Sequence, residues 1–563
     1  MRDKPTPKER IDHHRKRLDH LKNEYDTHWK AHHQEISENV QPRMGRFLAD
    51  SPGKENDGSK KNENIVDSEA TLAHRNAAAG IQSGLTSSSM PWFRLTLQDR
   101  DLAKYTPVRW WLEEVKNRIM RVMQKSNFYQ STYGMYEQLI AFGTASMMIL
   151  TDHETIIRCY PFEAGEYYLG QDDTNRIDSI YRCYNSTAYN IVKKFGVKNV
   201  SKTVREAFEK DRGDSWFKVV HAIEPNNLRE PGKIDNLNMP YTSVYFEYDN
   251  KDKANPIFLR EGGFNQFPCM TPRWSVNGSE VYGRSPTMDA LADIKMLQTM
   301  QERTIEAIEK MVDPPVNAPA DMKKKAVSIL PGAVNFSDMT SSKGGMSAVY
   351  EVRPDIKAIE YKIERVHESI DRTLFNDLFL MIANERQRNK TATEVTEISD
   401  ERMRLLAPVI ERICPELLDT AIDRIFAIME TNGMIPPPPD ELTDQDIEIE
   451  YVSILAQRQK LVSINSIRQW IAFVMGVAEG KPEIMDTINA DEVSEEAGDI
   501  LGVPPKVIAP KEQREAIRKK REQEIEQLKQ QEQSAQMAQG VKTLSETDTD
   551  SNNALTQIAG AMV

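Results

Sequence analysis

The sequence predicts an α+β chain, mostly helical, and three observations carry that prediction. Apolar residues recur at steps of three and four over 286–312 and again over most of 356–430, the spacing of long amphipathic helices. Between about 150 and 280 the texture changes to β-branched and aromatic residues with frequent Gly and Pro, as in Tyr241-Thr242-Ser243-Val244-Tyr245-Phe246. From about 511 the chain turns highly charged and then Gln-rich, a helix candidate that fades into polar sequence.

Taken in order, residues 1–64 form a polar helix and a linker. The helix, 8–38, holds six of the ten histidines. His28 and His32 stand four apart and can share a helix face, but a zinc site needs further ligands and a dry surround, so a solvated helix is the ordinary reading. An Ala-rich helix occupies 65–90 and exits through Gly84 and Ser87-Ser88-Ser89 into Pro91-Trp92-Phe93. Phe93-Arg94-Leu95-Thr96-Leu97 alternates as a strand does. Two helices follow, one marked by Trp110, Trp111, Val115, Ile119 and Val122, the other by Met135, Leu139, Ile140 and Phe142. Met147-Met148-Ile149-Leu150 reads as a buried helix end or strand.

After the strand-rich region, Pro286 suits the first position of a helix. Met288, Leu291, Ile294, Leu297, Ile305, Ile308 and Val312 fall on one side of it, and Lys295, Arg303, Glu306 and Lys310 on the other. Its 27 residues span about 40 Å at about 1.5 Å each, ending before Asp313-Pro314-Pro315. A compact insert fills 313–355, with strand-like Ala326–Leu330 and Ser347–Val352 around a Ser341-Ser342-Lys343-Gly344-Gly345 tip. A second long helix is expected over 356–383, and a basic link, Arg386, Arg388 and Lys390 among them, over 384–390. Thr391-Ala392-Thr393-Glu394 is a capping-box pattern that opens a helix over 391–431. Pro408 and Pro415 lie inside it; each removes a hydrogen bond and is expected to kink the rod. Beyond the Pro436–Pro439 spacer, 448–510 reads as mixed helix.

Composition narrows the function. The net charge is −13, whereas tight static DNA binding calls for a strong positive excess, because affinity comes largely from phosphate neutralisation. No run approaches the roughly 18 apolar residues of a membrane span. The polar start of the chain is not a secretory signal. Cys159, Cys183, Cys269 and Cys414 are scattered, with neither disulfide nor zinc spacing, which suits reduced thiols in a cytosolic setting. There is no Gly-x-x-x-x-Gly-Lys-Ser/Thr loop, no Gly-x-Ser-x-Gly elbow and no His-Glu-x-x-His. Asp172-Asp173 reads as a turn before it reads as a metal pair. The Arg386, Arg388 and Lys390 cluster is either a solvated helix end or a loop facing phosphate. Lys323-Lys324-Lys325 on the insert is either a solvated run or a partner contact.

Several collinear segments over about 60–520 together resemble the portal proteins, or head-to-tail connectors, of short-tailed double-stranded DNA bacteriophages. They are Asp67-Ser68-Glu69-Ala70, Gly84-Leu85-Thr86, Pro91-Trp92-Phe93, Phe142-Gly143-Thr144-Ala145 and Tyr282-Gly283-Arg284-Ser285-Pro286. Asp313-Pro314-Pro315, Thr391-Ala392-Thr393-Glu394-Val395, Leu405-Leu406-Ala407-Pro408 and Ser453-Ile454-Leu455-Ala456-Gln457 complete the set. The resemblance implies a non-enzymatic, cofactor-free subunit of a ring, usually of twelve, at one capsid vertex of the virion, assembled in the host cytoplasm. It implies a wing over 65–285, stem helices over 286–312 and 356–383, and a clip over 313–355 that meets the terminase and later the tail adaptor. It further implies a tunnel loop over 384–390, a kinked wing helix over 391–431 and a crown over 448–520, with a polar tail over 521–563. Double-stranded DNA, major capsid protein and scaffolding protein are the other implied partners. A metal-dependent enzyme acting on nucleic acid, or another virion part such as a tail adaptor, are the alternatives.

Overall fold

A computed structural model of the chain describes residues 5–42, 62–312 apart from 100–101, 104, 211, 231, 234 and 250–256, then 355–376, 406–442, 447–451, 467–477, 484 and 487–545 apart from 501–508 and 510, with short pieces at 316–317 and 347–348. It is α+β and mostly helical, as expected, and divides into two units, Met1–Ala456 and Gln457–Val563.

The first helix, α1 (Pro7–His28), starts at a capping box in which the Glu9 amide donates to Thr6 Oγ1 at 3.3 Å and the Thr6 amide to Glu9 Oε2 at 2.7 Å. The chain turns at Trp29 into α2 (Lys30–Asn39), so 8–38 is two helices, with His28 and His32 exposed on either side of the break. Nor is this segment solvated throughout. Ile11, His14, Leu18, Leu21 and Tyr25, at steps of three and four, are buried against a sheet.

That sheet has five antiparallel strands in sequential order: β4 (Tyr167–Gln171), β5 (Ile177–Thr187), β6 (Trp216–Pro225), β7 (Tyr241–Glu247) and β8 (Phe258–Phe264). One face meets α1 through Tyr181, Val220, Val244 and Phe246. The other meets α6 (Ala188–Phe195) and α7 (Lys202–Glu209) through Val219 and Tyr245. At the β4–β5 turn, Asp172 Oδ1 accepts from the amides of Thr174 and Arg176, both at 2.8 Å, so Asp172-Asp173 is a turn.

The main core gathers α3 (Glu69–Leu85), α4 (Thr106–Lys125), α5 (Phe128–Phe142) and the β3-β2-β9 sheet (Ile156–Phe162, Ser146–Asp152, Cys269–Met270). It also takes in the long helices α8 (Pro286–Val312) and α9 (Ile356–Thr373) and the helical run 406–431. β1 (Phe93–Leu97) pairs antiparallel with β12 (Ile447–Tyr451), so 447–451 is a strand of the first unit rather than part of a mixed-helical region. Within the insert, β10 (Val316–Asn317) pairs with β11 (Ser347–Ala348); Ala326–Leu330 and the Gly/Ser tip lie outside the described residues.

The second long helix is interrupted: α9 ends at Thr373, Leu374 and Phe375 form a turn, Asn376 is helical again, and 377–383 lie outside the described residues. Leu374 is buried in the main core, and Phe375 takes φ +59, a left-handed conformation costly for a bulky residue, with its ring 6.0 Å from that of Trp274.

In the second unit, the helix over 467–477 buries Val474 and exposes Trp470 and Phe473, while α11 (Ala490–Ile500) holds the start of α12 (Lys511–Ser545). Arg514 Nη1 and Arg518 Nη2 lie 3.4 and 2.6 Å from Asp491 Oδ1. In the first unit, α10 (Thr420–Thr431) stops at Asn432, with Gly433 left-handed at φ +66.

Candidate functional site: the paired long helices and their root

α8 is rooted where two of the sequence motifs cross. Gly143 closes α5 with φ +73, and a Cβ there would stand 2.3 Å from the Gly283 carbonyl oxygen. Reciprocally, a Cβ on Gly283 would stand 2.3 Å from the Gly143 carbonyl oxygen. Only two glycines allow backbones this close. The contact lets the Gly283 amide donate to Thr144 Oγ1 at 2.7 Å and the Trp274 amide to the Gly143 carbonyl at 2.8 Å. Ser285 and Thr287 hydroxyls donate, each at 2.8 Å, to the Ala141 and Ile140 carbonyls, orphans of the α5 C-terminus. Pro286 then opens α8, as its fixed φ favours.

From that root α8 has two unlike halves. Pro286, Thr287, Ala290, Leu291, Ile294 and Leu297 are buried, with α9 contributing Ile363, Val366 and Ile370 to the same core. Beyond Gln298 the apolar positions emerge: Ile305 is 48%, Ile308 41%, Met311 44% and Val312 78% exposed, and Tyr361 on α9 is 60% exposed. The boundary is a polar clasp. Gln298 Oε1 accepts from the Val66 and Asp67 amides at 2.7 and 2.8 Å, and its Nε2 donates to the Asp67 carbonyl at 2.8 Å. Gln301 Nε2 donates to Asp67 Oδ2 at 2.8 Å, and His367 Nε2 of α9 lies 3.0 Å from the same oxygen. Burial opposes the Asp67 charge, but the Glu69 amide, Gln301 and His367 outweigh it and hold the carboxyl below its usual range. Burial, then the neighbouring Asp371 charge, lifts the Glu69 carboxyl. Ser369 donates to Asp293 at 2.8 Å, tying α9 to α8 again.

The exposed charges of this pair are largely self-balanced. Glu306 lies 2.7 Å from Arg303 and 2.6 Å from Lys310, and those partners hold its carboxyl below the usual range. Lys295 is 2.8 Å from Glu35 of α2. α8 carries five acidic and three basic side chains and α9 four of each, a net of −2.

The basic link, Arg386, Arg388 and Lys390, and the insert's Lys323, Lys324 and Lys325 lie outside the described residues. Pro408 lies in the helix over 406–413, and Pro415 in a π-helical turn, Cys414–Asp419, that joins it to α10. Two groups outside this rod pin that turn. Arg273, fully buried, places Nη2 2.7 Å from Glu416 Oε1, and its amide donates to Oε2 at 2.8 Å; Asp419 accepts from the Tyr451 hydroxyl of β12. Sequence reading missed Gln298, His367 and the Arg273–Glu416 pair, and met Asp67 only as part of a matching segment, without its role in the clasp. The available signal was Gln298 itself, a polar residue on the apolar face of α8.

Comparison with known proteins agrees with this architecture. The profile of the family described as bacteriophage head to tail connecting protein matches residues 12–508. The portal protein of Salmonella phage epsilon15 is 39% identical over 558 residues, 99% of this chain and 98% of that one. The probable portal protein of Bordetella phage BPP-1 is 37% identical over 536 residues, 95% of each chain.

Proposed function

Because the chain belongs to the bacteriophage head to tail connecting protein family and has the function of a phage portal, we propose that its copies form a ring, of twelve subunits, whose stem is built from α8 and α9 and through which double-stranded DNA is packaged and ejected. The observation that carries this is the division of α8. Its root is buried in the subunit, while Ile305, Ile308, Met311 and Val312 form an apolar stripe open to solvent in a single chain. Apolar surface repeated on every copy is covered when the same helix of a neighbour lies beside it, and a closed ring leaves none over.

On this reading 313–355 is the clip, where the terminase and then the tail adaptor dock, with Lys323, Lys324 and Lys325 a contact for them. The 384–390 link is the tunnel loop, where Arg386, Arg388 and Lys390 grip the duplex transiently. The 65–285 region forms the wing, with β12 and the 406–431 rod packed against it, and the crown inside the capsid comes from the remainder of 448–520 beyond β12. Major capsid and scaffolding proteins are the partners during assembly in the host cytoplasm, and the role is structural rather than enzymatic. The near-neutral α8–α9 pair suits a conduit, since every phosphate held by a cation adds affinity and friction.

Negative-stain microscopy tests the ring. The wild-type chain should give rings with a central hole, and Ile305→Glu with Ile308→Glu should give folded monomers. A monomeric wild type with scaffolding protein present, or intact rings in the double variant, would refute the assignment.

A further inference from the structure

Residues 5–42 carry α1 and α2 ahead of α3, and each of their seams with the rest of the first unit closes on a buried histidine. Of the ten histidines, His14, His33, His74 and His221 are buried, and the first three stand along these seams. At the first, α1 lies on the five-stranded sheet. His14 Nδ1 is 3.1 Å from the Tyr181 hydroxyl of β5 and 3.4 Å from Glu224 Oε1 of β6, and its ring stacks with that of Phe246 of β7 at 6.4 Å. The Tyr181 hydroxyl in turn donates to Glu224 Oε2 at 2.6 Å. At the second, α2 meets the end of α5. The His33 ring is 5.2 Å from that of Phe142, and its Nδ1 is 2.8 Å from the Tyr25 hydroxyl. At the third, His74 Nε2 of α3 donates to the Glu137 carbonyl at 2.8 Å, which leaves Nδ1 to accept from Gln41 Nε2 at 3.0 Å. A second proton, on Nδ1, would displace that donor.

Apolar contacts dock this segment at any pH: Ile11, Leu18 and Leu21 against the sheet, Ile36 and Val40 in the main core. Its ion pairs with the rest, Arg10 with Glu261 of β8 and Lys295 of α8 with Glu35, each at 2.8 Å, lie partly or largely in water and contribute little. The histidines are the part that acid withdraws. Burial is the largest influence on each and holds His14 and His74 down to about 4 and His33 to about 3. The groups facing them do not reverse it. Glu224 favours a proton on His14, and His13 and Arg10 oppose one. His32 opposes a proton on His33 and the Phe142 backbone favours it; Arg75 and the Glu137 backbone play those parts at His74. A ring at a seam meets water once the segment lifts, whereas His221, on the other face of the sheet, does not. Acid therefore favours lifting ahead of general unfolding.

We propose that residues 5–42 are a releasable strap, which acid lifts from the sheet and from the end of α5 while the sheet stays folded, baring its Tyr181, Val220, Val244 and Phe246 face. A base depressed in the docked state contributes fully above its free value of 6.5 and loses that contribution as pH falls toward the docked value.

Hydrogen–deuterium exchange of the full chain, corrected for the intrinsic rate at each pH, tests this. From pH 7.5 to 5.5 each histidine should weaken docking about tenfold, and the three together about a thousandfold. Peptides from α1 and α2 should lose protection by about that factor, while those from β5, β6 and β7 remain protected. His14→Gln should cut the change to about a hundredfold. His20→Gln, exposed on α1, should leave it as in the wild type. The wild-type profile decides even if His14→Gln frees the strap at every pH. Strap protection that is the same at pH 7.5 and 5.5, or that is lost only together with that of β5, β6 and β7, would overturn the proposal.

Discussion

Replacing Gly283 by Ala puts the root of α8 under a load that can be worked out from the structure. The new Cβ would stand 2.3 Å from the Gly143 carbonyl oxygen and 3.0 Å from the Trp274 amide nitrogen, both backbone atoms. Ordinary contact for a Cβ begins near 3.4 Å, so the two chains must part by about 1 Å, and overpacking of that kind costs about 1–3 kcal/mol. Parting strains the Gly283–Thr144, Ser285–Ala141 and Thr287–Ile140 hydrogen bonds. At about 1 kcal/mol for each buried bond lost, the expected total is about 4–6 kcal/mol. Unfolding entropy of about 2.1 cal/mol/K per residue converts this to about 1 °C per kcal/mol for the Met1–Ala456 unit. Differential scanning calorimetry should show Gly283→Ala melting about 4–6 °C below wild type. Gly134→Ala is the matched control: it lies within α5 with nothing within 4 Å of its Cβ, and gains up to about 1 kcal/mol of helix propensity. Should Gly283→Ala melt within 1 °C of wild type, or Gly134→Ala fall as far as Gly283→Ala, the glycine crossing is not what roots the helix.

Acid should destabilise the protein through buried neutral histidines. Burial lowers His14 and His74 to about 4 and His33 to about 3, and His221 well below its usual value. A base depressed in the folded state contributes its full stability above the unfolded value of 6.5 and loses it as pH falls toward the folded value. At pH 5 each histidine costs about 2 kcal/mol, and melting temperature should fall steadily from pH 6.5 to 5; a flat profile over that range contradicts the assignment. Glu416→Gln should destabilise by about 3–5 kcal/mol by stranding buried Arg273, whereas Arg412→Gln, at 3.8 Å from Glu416 and half exposed, should cost under about 1 kcal/mol; equal urea midpoints for the two variants would count against it. Arg386→Ala, Arg388→Ala and Lys390→Ala combined should leave rings intact by microscopy and reduce the DNA content of assembled particles, and normal DNA content would remove the link from the channel.

Much of the local fold was legible because single-residue chemistry set it. Pro286 and Asp313-Pro314-Pro315 bracket α8, and the alternation of Phe93–Leu97 marks β1. What escaped was decided by residues far apart in sequence. Ile447–Tyr451 is a strand because β1, some 350 positions earlier, presents its edge to it. α1 is docked although polar on average, since five residues suffice for a buried stripe and one of them is His14. α9 stops at Thr373 because Leu374 and Phe375 find better packing off the helix axis than on it. At the candidate site, the apolar stripe of α8 was readable, but its division into a buried and an open half was not. Periodicity says which side of a helix is apolar; Gln298 and the 66–67 segment it grips determine where the subunit stops covering it.

The Arg303–Glu306–Lys310 chain has a consequence for anything polyanionic drawn along the helix. Its charges alternate within about one turn, roughly 5 Å, which is shorter than the screening length of about 8 Å in physiological salt. A phosphate passing beyond that distance feels their sum, one net positive charge, rather than any one of them, and Glu302 and Glu309 on the same stretch of helix offset it. The potential along this stretch is therefore close to level, with no well deep enough to arrest a strand at a preferred register.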